Sequence, residues 1–88
     1  MFGPKARIRI TVKLYGGLDL QAGMENYDPE NGIGLDLPRG ARLKKALKRL
    51  GLNHAGAMAF FINGKKAGPR EKLNDGDTVF CMRPVSGG

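Results

Sequence analysis

Few residues in this 88-residue sequence are equipped for chemistry. With one cysteine and one histidine, neither a disulfide framework nor a His/Cys metal cluster is supported, and no metal site is expected. Cys81 stands in a β-branched and apolar run, Thr78-Val79-Phe80-Cys81-Met82, where parity turns its thiol inward as a small hydrophobe. His54 falls in a loop and reads as solvated. Gly16, Gly17 and Gly23 lack the lysine and hydroxyl spacing of a phosphate loop. Asp75-Gly76-Asp77 is a turn without the twelve-residue span and closing glutamate of an EF-hand. The remaining candidate is the end of the sequence, where the apolar run passes through Arg83-Pro84-Val85-Ser86 into Gly87-Gly88. There the reactive group would be the Gly88 carboxylate; the alternative is a frayed tail without a role.

The elements that must hold such an end can be read in order. Arg7 to Tyr15 alternates, with Ile8, Ile10, Val12 and Leu14 on one side and Arg7, Arg9, Thr11 and Lys13 on the other, the period of a half-buried strand. Residues 16–32, rich in glycine and carrying Asp19, Glu25, Asp28 and Glu30, are expected to form a long loop with room for a helical turn around Leu18 to Met24. Ile33, Leu35 and Leu37 predict a second strand that Pro38 closes. Leu43, Ala46, Leu47 and Leu50 predict an amphipathic helix over Ala41–Leu50, ended by Gly51. No capping side chain precedes it, so packing of its leucine stripe must hold it. Ala57–Ile62 is a strand, Asn63-Gly64 a tight turn, Lys65-Lys66-Ala67 a returning strand, Pro69–Leu73 a connector and Asn74–Asp77 the turn before the last strand.

At this length one domain, residues 1–88, with one small core is expected, with no room for a multi-part active site. Fifteen Lys and Arg against eight acids give a charge of +7, which alone does not choose among a polyanion, an acidic protein and a soluble surface. No stretch has the apolar length of a membrane span, and Met1-Phe2-Gly3-Pro4-Lys5 does not begin a secretory signal, so no membrane partner and a reducing, cytoplasmic setting are expected. The helix face with Arg42, Lys44, Lys45, Lys48 and Arg49 has no aromatic residues interleaved for stacking, which sets nucleic-acid binding well behind.

Strand, strand, helix, strand, short strand, strand is the order of the β-grasp. The expected fold is α+β and ubiquitin-like: a mixed sheet of four to five strands, one main helix on one face, and the last strand beside the first.

Several motifs bear on the family. The stretch Leu73-Asn74-Asp75-Gly76-Asp77-Thr78-Val79 with Arg83-Pro84-Val85-Ser86-Gly87-Gly88, the hairpin Ile62-Asn63-Gly64 and the approach to the helix Leu37-Pro38-Arg39-Gly40 together resemble the ubiquitin-like sulfur carriers. The resemblance covers roughly residues 33–88. It is strongest to the small subunits of molybdopterin synthase (MoaD), with the thiamine sulfur carriers (ThiS) as close relatives. Arg83 stands where the molybdopterin branch commonly has a proline, and residues 15–32 are expected to lack the helical segment which that branch carries after its first strand.

The resemblance implies a protein co-substrate rather than an enzyme. In the family an activating enzyme uses ATP and magnesium to adenylate the terminal carboxylate, and a sulfurtransferase then supplies the sulfur of a thiocarboxylate. The sulfur goes to an acceptor enzyme, such as the molybdopterin synthase large subunit. The carrier itself binds no cofactor.

Gly88 would be the reactive residue and Pro84, Val85, Ser86 and Gly87 its delivery arm. Glycines allow close backbone approach, and Pro84 limits the entropy lost on threading. Parity turns Phe61, Phe80 and Met82 outward, and with Arg9, Lys13 and Arg83 at its rim this patch is the expected partner surface. The competing expectation is that the loop at 16–32 folds back over it. Two other functions stay open: a modifier conjugated to lysines through Gly88, and a basic nucleic-acid module indifferent to loss of Gly88.

Overall fold

The computed structural model describes residues 7–52 and 58–83; His54 and the tail from Pro84 to Gly88 lie outside them. Alternation in the first strand, β1 (Arg7–Leu14), buries Ile8, Ile10, Val12 and Leu14 and leaves its basic residues on the other side. It pairs antiparallel with β2 (Ile33–Pro38), where Ile33, Leu35 and Leu37 share the inward side. After the helical segment come β3 (Ala59–Ile62), β4 (Lys65–Ala67) and β5 (Thr78–Met82). The sheet order is β2-β1-β5-β3-β4, with β1 and β5 parallel at its centre and the other pairs antiparallel. The fold is the expected α+β β-grasp with five strands.

Two local expectations change. The main helix, α2, spans Leu43–Arg49 rather than Ala41–Leu50, and packing is not its sole support. Its first N–H groups are capped by the backbone of the connector. The Leu43 N–H donates to the Glu71 carbonyl at 2.9 Å and the Lys44 N–H to the Pro69 carbonyl at 2.8 Å. An isolated bridge between Arg42 and Lys72 continues this seam. Unpaired helix-start donors are satisfied without a capping side chain, which is why no Ser, Thr, Asp or Asn is needed there. The Gly51 terminator has φ +73°, the left-handed conformation expected of it. Leu43, Ala46 and Leu47 turn into the core with Leu37, Leu50, Leu52, Phe60, Leu73, Val79 and Cys81. Like charges on the outer face oppose α2 by about 0.2–0.5 kcal/mol for each pair at i, i+4.

The second is a refinement in residues 16–32. A short helix, α1 (Leu18–Gln21), follows β1 inside the span Leu18 to Met24, where the sequence left room for a helical turn. Four residues are too few to show a helical period. What makes the turn is Leu18, which is completely buried in the core, together with Gly16 and Gly17 at φ +71° and +82°. The Tyr27 hydroxyl oxygen accepts the Leu14 N–H at 2.6 Å, extending β1 into the loop. Burial raises the pKa of that phenol above its ordinary value.

Candidate functional site

β5 is the strand from which the tail departs, and each of its ends is held differently. At its start, Asp77 is buried and both carboxylate oxygens are used: one accepts the Asn74 N–H at 2.8 Å and the other the Asn63 side-chain amide at 2.9 Å. The Asn63 side-chain oxygen in turn accepts the Thr78 N–H at 2.9 Å, while its own N–H donates to the Thr78 carbonyl. Asn63 sits at φ +52°, a conformation asparagine tolerates better than most residues. The same turn grips β1: Asp75 accepts the Arg9 N–H at 2.7 Å, Gly76 donates to the Arg9 carbonyl and Thr11 donates to the Asp77 carbonyl. The two turns legible in the sequence thus interlock around the first residue of β5.

At the other end, β5 delivers Arg83, which is exposed. The Tyr15 N–H donates to the Cys81 carbonyl at 2.9 Å, and the backbone of Gly16 packs directly against that of Arg83. A Cβ at residue 16 would lie 3.0 Å from the Arg83 carbonyl oxygen and 3.2 Å from its nitrogen. Only glycine combines this approach with a φ of +71° without strain. The tail residues Pro84, Val85, Ser86, Gly87 and Gly88 continue from here and lie outside the described residues.

Between these ends, strand register assembles a row across the outer side of the sheet. Lys13 of β1 is opposite Phe80 of β5, Phe80 is opposite Phe61 of β3, and Phe61 is opposite Lys66 of β4. Two adjacent phenylalanines are therefore flanked by lysines. The Lys13 Nζ lies 5.9 Å from the Phe80 ring centroid, within reach of a cation–π contact. The Tyr15 ring stacks on Phe80 with centroids 6.0 Å apart. Met82 and Ala59 are partners one step nearer the tail. Phe61, Phe80 and Met82 are half-buried by one another and by these neighbours rather than fully exposed.

The structure thus brings Lys13, Phe61, Phe80 and Met82 together beside Arg83, but not Arg9. Arg9 lies four residues back along β1, about 13 Å at the usual rise. Its Nη1 bonds the Asp36 carboxylate at 2.9 Å across to β2. Loop residues Leu18, Ala22, Met24 and Tyr27 turn to the core rather than to the patch, while Gly32 packs against Lys13 at its edge. Tyr15 and Lys66 were missed by sequence reasoning; continuing the alternation past Lys13, and setting the Asn63-Gly64 hairpin register, would have found them. Cys81 is fully buried, and burial pushes its thiol pKa up to about 12, so it is inert as a nucleophile. Among the described residues no cluster of His, Cys, Asp and Glu has metal-binding geometry.

Among solved structures, a putative molybdopterin converting factor subunit 1 from Pyrococcus furiosus superposes with a TM-score of 0.67 at 21% identity, covering 89% of this chain and 99% of that one. Small archaeal modifier protein 1 of Haloferax volcanii gives 0.68 at 21%, again over 89% and 99%. The modifier of the same name from Methanosarcina acetivorans gives 0.61 at 22%, over 93% and 98%. At these identities the likeness carries the fold. A comparison with curated proteins finds no match. The ThiS family model matches residues 29–88, a span that takes in α2, the interlocked turns, β5 and the Gly-Gly sequence, and the chain belongs to the ThiS family of ubiquitin-like sulfur carriers.

Proposed function

We propose that this protein carries sulfur as a thiocarboxylate on Gly88 and delivers it in the biosynthesis of molybdopterin. The observation that supports this most is the continuity of β5. A strand fixed at its start by the Asn63–Asp77 lock leads, past an apolar row suited to a partner, straight into a tail whose last residues are Gly87-Gly88.

The chemistry follows from the weakness of a carboxylate as an acyl donor. Its oxygen attacks the α-phosphorus of ATP in a magnesium-dependent activating enzyme and expels pyrophosphate, leaving an acyl adenylate. A sulfide equivalent from a sulfurtransferase then attacks the acyl carbon and expels AMP. The work of this chain is binding and delivery: the row Lys13-Phe80-Phe61-Lys66 docks, Arg83 meets the partner at the tail base, and the side-chain-free glycines enter the channel. The acceptor is the large subunit of a molybdopterin synthase, and the setting is the cytoplasm.

A second reading has a specific observation in its favour. Two of the superposing structures are, by their own names, modifier proteins, so attachment of Gly88 to lysines of target proteins is the competing use of the same activated carboxylate.

The test is intact-mass analysis after incubation with an activating enzyme, ATP, magnesium and a sulfur source. The expected product is heavier by the difference between sulfur and oxygen, located at Gly88, and is consumed when the large subunit and its precursor are added. Failure to form any adenylate or thiocarboxylate overturns the carrier reading. A thiocarboxylate consumed by a thiazole synthase instead moves it to thiamine, and isopeptide-linked adducts in cells favour the modifier.

A further inference from the structure

The charge of this protein is segregated. Residues 37–73 hold ten Lys and Arg against one acid, Glu71; the remaining sequence holds five cations against seven acids. The fold gathers these cations into clefts in which they outnumber the acids. Arg7, Arg39 and Lys72 line a cleft of about 580 Å³ with Gly40, Leu73, Asn74 and the acid Asp75. Lys72 also borders a second cleft with Lys65, Lys66, Glu71 and Asp77, and Lys44 and Arg70 line a third with Glu71. Hydrogen bonds from Leu43 and Lys44 to the 69–71 backbone join these clefts to the outer face of α2, where Arg42, Lys44, Lys45, Lys48 and Arg49 are exposed.

None of these cations is neutralised: the one ion pair among the described residues is Arg9–Asp36. The Arg42 and Arg49 guanidiniums instead bond the Arg70 and Asp36 carbonyl oxygens, which holds them at the surface with their charge intact. Lys44 and Lys48, and Lys45 and Arg49, repel one another at i, i+4 spacing along α2. That repulsion opposes α2 in the free protein, and a bound polyanion would relieve it.

The main cleft of this surface lies toward the start of β5 and not toward Arg83. It adjoins Asn74 and Asp75, before β5 begins, whereas Arg83 leaves at the other end beside Gly16. The acidic residues Asp19, Glu25, Asp28 and Glu30 belong to the loop that starts at that second end and returns to β2 opposite Val12.

The geometry points to a second interaction surface, on the Arg7–Arg39–Lys72 cleft and the α2 face, that binds the phosphodiester backbone of a double-stranded nucleic acid without reading its sequence. An acidic protein is the weaker fit. Protein interfaces centre on desolvated aromatic and apolar anchors and are depleted in lysine. The exposed large hydrophobic residues among those described are Tyr15 and Leu20, neither of which belongs to this surface, and six of the ten cations here are lysines. A phosphate backbone requires no such anchor, since release of counterions supplies the affinity. The lack of aromatic residues on α2 argues against single strands, which bind by base stacking, and leaves duplexes unaffected. The surface is distinct from the Lys13-Phe80-Phe61-Lys66 row, with which it shares no residue of its main cleft or of α2.

The test is fluorescence anisotropy of the full chain with labelled mixed-sequence RNA and DNA duplexes over a series of salt concentrations. The expected result is binding that weakens steeply with salt, unchanged by deletion of Gly88. The triple substitution Arg39→Gln, Lys44→Gln, Lys72→Gln should reduce the logarithmic salt slope by about three and weaken binding at least about tenfold, while Lys13→Gln with Arg83→Gln leaves both unchanged. The RNA and DNA arms identify which duplex is preferred, and binding of either supports the surface. No duplex binding at low salt, binding that the triple variant retains, or a polyglutamate peptide that binds as tightly as the duplex would overturn it. Arg39, Lys44 and Lys72 are all exposed, so the triple variant should keep the wild-type circular dichroism spectrum, which separates loss of the surface from loss of the fold.

Discussion

The two ends of β5 are built on opposite plans. Its start is fixed by directional polar contacts: Asp77 and Asn63 satisfy each other and the backbone of Asn74 and Thr78, and Arg9 and Thr11 of β1 are bonded to the same turn. Its exit has one such bond, from the Tyr15 N–H to the Cys81 carbonyl, and is otherwise bounded by packing, with Gly16 against Arg83 and Leu18 of α1 buried in the core. Hydrogen bonds specify register, because a slip of one residue leaves donors and acceptors unpaired; packing specifies where a chain can pass without fixing its torsions. A carrier needs both, an origin that cannot slip and a base from which the tail can be drawn into a partner.

The most damaging way to break the exit should be Leu18→Ala. Removing a fully buried leucine is expected to cost about 2–5 kcal/mol, read in urea unfolding, with α1 losing protection first in hydrogen exchange. A loss confined to a few tenths of that range would show that α1 is an ornament on the loop. At the start of β5, Asp77→Ala should cost about 1–3 kcal/mol by leaving the Asn74 N–H and the Asn63 amide without their acceptor. Asn63→Asp separates geometry from charge, since it keeps the acceptor for Thr78 but sets a carboxylate against that of Asp77.

Gly16→Ala sharpens the comparison differently. Left-handed strain costs roughly 1–2 kcal/mol, and the new methyl displaces Arg83. Activation by the adenylating enzyme should then fall more than stability does; Gly17→Ala, with φ +82° but nothing near its Cβ position, supplies the same strain without the displacement. Equal activation by the two variants would show that the tail base is not positioned by Gly16.

The smallest effect belongs to Asp28. Its carboxylate accepts the Asn31 side-chain amide at 2.6 Å and the Glu30 N–H, which hold its pKa below the usual carboxylate value. A lowered folded pKa means that this contribution is present above the unfolded value, near 3.9, and is lost as pH falls through the folded one. Protection of the Glu30 amide, its exchange rate relative to the intrinsic rate at the same pH, should therefore fall on acidification below about pH 4 while that of the Thr78 amide does not.

Much of this was legible because alternation and turn residues are local signals. Ile8 to Leu14, Asn63-Gly64 and Asn74–Asp77 announce their own geometry, and parity from Val79 to Met82 is enough to place Phe80 outside and Cys81 inside. Relations between distant segments were not legible. Nothing near Arg42 reveals that carbonyls of Pro69 and Glu71 cap α2, and nothing near Asn63 names Asp77 as its partner. Leu18 was hidden for a different reason, since one leucine among glycines and acids has no period to betray it. The candidate surface was found in outline by parity, but Arg9 was placed on its rim because alternation gives a side of the sheet and not a distance along the strand.

The parallel pairing of β1 with β5 has a consequence for how the protein matures. Thr11 meets Thr78 and Leu14 meets Cys81, so the centre of the sheet joins the first strand made to the last. Pairing over such a span closes late in folding, because the chain entropy of a long loop must be overcome before its contacts form. Until it closes, Lys13 and Phe80 are not neighbours and the row does not exist. A partner that read that row before accepting the tail would thereby proofread folding: an unfolded or damaged chain has the same glycines in its sequence, without the surface that admits them.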